Sequence, residues 1–174
     1  IFFFHTSITE LKPKHLEKMS AQPASFLPKG CKYYAGGHVH IIADVSLPGY
    51  ENLVYPGPLF PASFSELEKL GSGSYCVIED WKMTRKHITI KETLKININA
   101  NTPDAIEKEL AEALEQEVQD KIILVRIAGT LVGSQHNIPY RKLFSEAYKR
   151  GAYFIMKNTT KLQPEDQEEV YVSG

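Results

Sequence analysis

Cysteine is scarce in this chain of 174 residues: there are two, Cys31 and Cys76. They lie far apart and form no C-x-x-C pair, which argues against a disulfide framework or a zinc ribbon. They read as free thiols in a reducing cytoplasm. No apolar run reaches the roughly 18 residues that a membrane-crossing helix needs. An excess of one charge is also lacking, with 20 Lys and Arg against 21 Asp and Glu, a net charge of −1. A protein that coats nucleic acid or membrane through global charge is more basic than this. Any nucleic-acid contact must come from a local patch or from metal ions. Gly71-Ser72-Gly73 is a turn, because it lacks the context of a phosphate-binding loop. No repeat or low-complexity tract is present.

Apolar residues make up 43% of the sequence, enough for one large domain or two small ones with a genuine core. The chain opens on Ile1 and enters an apolar run at once. That run is too short for a signal peptide and has no charged region before it. The opening is read as the start of the C-terminal part of something longer. Residues 1–4 form a strand. Residues 9–29 hold Pro13, Pro23 and Pro28 and read as loop, with one helical turn near 15–19. Strands are expected at 31–35, 40–45, 52–55 and 74–79. Gly36-Gly37 is expected to break the second strand, and Pro56-Gly57-Pro58 to stop the fourth.

Residues 81–87 change character, with Lys82, Arg85, Lys86 and His87 between apolar segments, and read as a linker. A cleaner pattern follows. Leu94, Ile96 and Ile98 alternate with polar residues, as in a half-buried strand. Thr102-Pro103 starts a helix, with Thr as N-cap and Pro at the first helical position. Ile106, Leu110, Leu114 and Val118 supply its apolar stripe, and Asp104 and Glu107 suit its first turn. Ile122-Ile123-Leu124-Val125 reads as a central strand buried on both faces. A second helix is expected over 139–150, with Leu143, Phe144 and Ala147 inward and Gly151 as its stop. A last strand covers 152–156. The acidic end of the chain reads as a flexible tail. The fold class is α/β.

Two apolar runs end in histidine. One is Ile1-Phe2-Phe3-Phe4-His5, the other Tyr33-Tyr34-Ala35-Gly36-Gly37-His38-Val39-His40. Open α/β sheets bind ligands at the carboxyl ends of their strands, and histidine is the commonest metal ligand. A metal site built from His5, His38 and His40 is therefore expected. In an extended segment His38 and His40 point the same way; in a looser loop they reach two neighbouring metals. An H-x-H pair alone is more often a polar surface turn. Its place behind a strand, with His5 in a similar position, favours the site. Three imidazoles do not complete a hydrolytic two-metal centre, since hard ions also want carboxylates. Asp44 and Glu51 follow the motif, but read better as solvated charges. His15, His87 and His136 read as solvated or linker residues. The clusters Lys82/Arg85/Lys86 and Arg141/Lys142/Lys149/Arg150 could touch phosphates, though surface solvation explains both.

His5 after its strand, Gly37-His38-Val39-His40, Val54-Tyr55-Pro56-Gly57 and Ser63-Phe64-Ser65-Glu66 together resemble the C-terminal half of a calcineurin-like metallophosphoesterase. The nearest likeness is to SbcD-type double-strand-break-repair nucleases, also called meiotic-recombination-eleven proteins. The resemblance implies the second half of a phosphoesterase β-sandwich flanked by helices over 1–80, and a linker over 81–87. It also implies a small α/β capping domain over 88–158, a mixed sheet with two helices, and a tail over 159–174. It implies that His5 and His38 ligate one manganese ion and His40 its neighbour, two Mn2+ serving each complete site. No catalytic residue is assigned within the chain, and the carboxylate ligands are expected elsewhere in the parent protein. The activity implied is metal-dependent exonuclease and endonuclease cleavage of DNA by a two-metal mechanism. The chain alone is expected to be inactive. The implied partners are DNA, an SbcC-type ATPase bound through a region absent here, and a second copy in the parent; no membrane is implied. The implied location is the cytoplasm, associated with the nucleoid, or the nucleus. Pro58 stands where the family often has serine. Two other readings are a phosphoesterase of small phosphate esters and an inactive DNA-binding or scaffold module.

Overall fold

The computed structural model describes residues 1–14 and 17–165. The chain is α/β and divides into two compact units. The first comprises Ile1–Glu66 and Leu70–Ile90; the second comprises Leu67–Lys69 and Lys91–Gly174. No helix among the described residues is long and apolar enough to cross a membrane.

The first unit is built on a four-stranded sheet of order β1-β2-β4-β3: β1 (Phe2–His5), β2 (Tyr34–Gly37), β3 (Ile42–Leu47) and β4 (Tyr50–Pro56). Strands β1, β2 and β4 run parallel, while β3 pairs antiparallel with β4. The core beneath them gathers Ile8, Ala24, Leu27, Tyr34, Val39, Tyr50, Leu53 and Tyr55. Tyr55 ties the β1 exit to this core. Its hydroxyl donates to Thr6 O at 2.6 Å and accepts from Ile8 N–H at 3.1 Å. Burial, only partly offset by the Ile8 N–H, pushes the phenol up to about 12.

Gly36 and Gly37 do not break β2; they lie inside it, paired with Phe4 and His5. A glycine is required at 36 because a Cβ there would sit 2.6 Å from Phe4 Cζ and 2.7 Å from Tyr55 Cε1. The linker expected over 81–87 is instead β6 (Lys82–Ile88), paired antiparallel with β5 (Gly73–Glu79). Asp80 and Trp81 form the two-residue turn between them, both with positive φ (48° and 64°). Positive φ at both central residues is the signature of the turn whose twist matches antiparallel strands. In the loop read over 9–29, single 3-10 turns occupy Thr9–Leu11 and Ala24–Phe26. The helical turn expected near 15–19 rests partly on His15 and Leu16, which lie outside the described residues. Helix α1 (Phe64–Leu70) was not among the expected elements.

The second unit holds a three-stranded sheet of β7 (Thr93–Asn99), β8 (Ile122–Leu131) and β9 (Phe154–Pro164), in that order. Both pairings are parallel, so the expected mixed sheet is wholly parallel. Parallel neighbours need a crossover, supplied by α2 (Pro103–Leu114) and α3 (Tyr140–Lys149). Helix α2 starts as its sequence dictates: Thr102 Oγ1 accepts from Ala105 N–H at 3.2 Å, and proline occupies the first turn. Its stripe of Ile106, Leu110 and Leu114 is buried, with Val118 beyond its end, against Ile96, Ile98, Ile123, Val125 and Ile127. Ala147 of α3 is buried in the same core, with Leu143 and Phe144 packed against it. Strand β8 is buried at four successive residues, Ile122 to Val125, as a central strand should be. The tail expected from 159 is strand β9 as far as Pro164. Glu165 follows, its N–H donating to Leu131 O at 3.0 Å, and 166–174 lie outside the described residues.

Candidate metal centre

Strands β1 and β2 carry the first two candidate ligands to one place. Their parallel register sets His5 opposite Gly37 at the carboxyl ends of both strands. A Cβ on Gly37 would lie 2.8 Å from His5 Nδ1, so the glycine leaves room for the imidazole. His38 follows with φ at +87°, a left-handed conformation that L side chains seldom adopt. The two rings meet edge to face, with centroids 5.4 Å apart. Two imidazoles that share one ion at nitrogen–metal distances of roughly 2.1 Å place their centroids about 5 Å apart. The pair fits a shared ion on that measure, and both rings are exposed to solvent.

His40 is placed differently. The positive φ of His38 interrupts the extended alternation that would align residues two apart. Val39 is buried between them, 7% exposed. The His40 ring turns its Nδ1 to Glu66 Oε1 at 3.0 Å. Glu66 is itself firmly held. Its Oε2 accepts from Ala62 N–H at 3.0 Å, and its own N–H donates to Ser63 Oγ at 3.2 Å. Burial alone would raise its pKa, but the Ala62 N–H, the His40 imidazole and the Ser63 backbone together hold the carboxyl below the ordinary range. Glu66 was missed as a site residue. It stands in Ser63-Phe64-Ser65-Glu66, one of the motifs behind the resemblance, and at the Ser63-x-x-Glu66 spacing of a helix capping box, but neither assigns it a partner.

Among the described residues no three His, Cys, Asp or Glu side chains converge as a metal-binding group. His5 and His38 form one pair and His40 with Glu66 another; Asp44 and Glu51 join neither. The donor set therefore fits the imidazole part of a metal centre, without the carboxylates that a hard divalent ion also wants.

The basic clusters are partly committed to structure. The Arg85 guanidinium donates to Tyr55 O at 3.3 Å. Lys149 pairs with Glu146, and Arg150 donates to the carbonyls of Leu114 and Glu115 at the end of α2. His87 meets Ser72 Oγ at 3.3 Å, and His15 lies outside the described residues. A hollow of about 390 Å3 in the second unit is lined by Gln135, His136, Tyr140, Arg141 and Lys157 among others. There the Lys157 ammonium lies over the Tyr140 ring, 3.7 Å from its centroid. Comparison with protein-family models and with curated proteins gave no match.

Proposed function

We propose that this chain carries the histidine side of a two-metal phosphodiesterase centre and belongs to a DNA-cleaving enzyme of the SbcD type. The observation that supports it best is the pair of imidazoles, His5 and His38, delivered by adjacent parallel strands to one sheet edge with their rings 5.4 Å apart. Clustering at the carboxyl ends of parallel strands is where such sheets bind ligands. In this reading His5 and His38 hold one Mn2+ and His40 its neighbour, while the carboxylate ligands come from outside this histidine set. A bound metal pair supplies Lewis acidity toward a phosphate oxygen and lowers the pKa of a water nucleophile.

The chain's own residues contribute placement. Gly37 leaves the space in which the His5 ring sits, and the turn at His38 swings its imidazole against that ring. DNA is the substrate in this reading, an SbcC-type ATPase and a second copy of the chain are the partners, and the second unit is the capping domain that guides DNA.

Mn2+ titration followed by NMR tests it. Paramagnetic broadening should appear first at the His5 and His38 ring protons, and His38→Ala should weaken Mn2+ binding at least tenfold. Broadening spread evenly over all histidines, or an unchanged titration in His38→Ala, would overturn the proposal.

A further inference from the structure

Glu66 lies 26 residues from His40 in sequence, yet its carboxylate is the partner of the His40 ring. An ionised carboxylate can only accept hydrogen bonds. The 3.0 Å contact therefore makes Nδ1 a nitrogen that carries a proton, donating to Oε1. In the neutral ring the free lone pair is then on Nε2. Neutral imidazole binds a metal through its unprotonated nitrogen, and the hydrogen bond made by the other nitrogen decides which one that is.

We infer that Glu66 is a positioning residue: it locks His40 as the Nδ1–H tautomer and offers Nε2 as the donor atom. The offer of Nε2 to a metal rests on the function proposed above; the lock itself does not. Two features support it. The carboxylate is pinned independently of His40, since Oε2 takes the Ala62 N–H at 3.0 Å. The Glu66 side chain is 24% exposed and that of His40 56%, so the anchor is the better buried of the two. A carboxylate that holds the remote nitrogen of a ligating histidine typically contributes tenfold or more to metal affinity.

A simpler role is also available, because Glu66 sits where a capping-box glutamate would support α1. Two variants separate the roles. Glu66→Ala removes the carboxylate, whereas Ser63→Ala weakens the helix start and leaves the carboxylate in place. The first readout needs no metal: the 15N shifts of the His40 ring nitrogens in the whole chain. The Nδ1–H form should dominate in the wild type and in Ser63→Ala, and should lose ground to Nε2–H in Glu66→Ala. Equal tautomer populations in all three would overturn the inference, whatever happens with metal.

The second readout is Mn2+ affinity. Glu66→Ala should lose about tenfold, Ser63→Ala should lose little, and Glu66→Ala should cost nothing further once His40 is alanine. Equal losses in Glu66→Ala and Ser63→Ala would assign Glu66 to helix capping and overturn a positioning role. A shifted tautomer without Mn2+ binding by any form would uphold the lock and overturn the proposed function instead.

Discussion

Gly36 and Gly37 are neighbours in one strand, neither has a positive φ, and replacing each with alanine should give opposite results. At position 36 the new Cβ would stand 2.6 Å from Phe4 Cζ and 2.7 and 2.8 Å from two Tyr55 ring carbons. Carbon atoms at rest lie about 3.5–4.0 Å apart, so the overlap is roughly 1 Å. Tyr55 cannot yield: it is 1% exposed, and its hydroxyl is bonded to Thr6 O and Ile8 N–H. Overpacking of this kind costs roughly 1–3 kcal/mol, and the rigid neighbours place Gly36→Ala near the top, about 3. At position 37 the new Cβ would stand 2.8 Å from His5 Nδ1, with the next atom at 3.4 Å. Those atoms belong to one exposed ring that can swing away. The loss should be under about 1 kcal/mol and largely offset by the lower entropy of the unfolded alanine chain. Swinging His5 away, however, separates it from His38. Urea unfolding and Mn2+ titration of both variants give the comparison. Gly36→Ala should unfold at clearly lower urea, while Gly37→Ala should unfold like the wild type but bind Mn2+ more weakly. A Gly37→Ala protein as unstable as Gly36→Ala, or one with unchanged Mn2+ affinity, would refute the reasoning.

Tyr55→Phe leaves the buried Ile8 N–H without its acceptor and should cost about 2 kcal/mol in chemical denaturation. Leu110 is 0% exposed in the core of the second unit, so Leu110→Ala should cost about 3 kcal/mol by the same measurement. Glu68 is paired side-on with Arg126, with contacts of 2.7 Å from both Nε and Nη2, and this hydrogen-bonded pairing holds the carboxyl below its ordinary range. A carboxyl lowered on folding adds stability above its unfolded pKa, near 4.3, and loses it as pH falls through the folded value. Acid unfolding followed by circular dichroism should therefore begin at higher pH in Arg126→Met than in the wild type, and coincident curves would contradict the assignment.

The legible parts of the fold are those whose local signals agree with their surroundings. Thr102-Pro103 and the stripe Ile106, Leu110, Leu114 each point to the same helix, and α2 begins where its cap requires. Strand β6 was obscured because Arg85 occupies a partly buried position, where its guanidinium reaches Tyr55 O, so a charged residue interrupts the apolar alternation. Its turn, Asp80-Trp81, also lacks the glycine that normally marks a two-residue hairpin. The end of β9 was obscured for a related reason. It borders the sheet, and beyond Asn158 it buries only Leu162, so its polar composition resembles a tail. At the candidate site, strand-ending histidines were visible because each sits at the end of its own apolar run. The Glu66 partnership was not, because no local pattern links residues 26 apart.

The backbone at 36–38 carries a further distinction. Glycines occupy the two positions where a Cβ would strike a ring, Gly36 against Phe4 and Tyr55 and Gly37 against His5. The next residue, His38, is the one with φ at +87°, where glycine would be the relaxed choice. Holding an L residue in the left-handed region costs about 1 kcal/mol or more. Strain of this kind is retained where the side chain is needed and concentrates at functional sites. His38→Gly should therefore stabilise the chain by about 1 kcal/mol relative to His38→Ala, because both lack the imidazole and only alanine keeps the strain. Both should lose Mn2+ affinity equally. If His38→Gly is no more stable than His38→Ala, the turn is not strained and the backbone gives no sign that the imidazole is selected. If it is more stable but binds Mn2+ as well as the wild type, the strain serves something other than a metal.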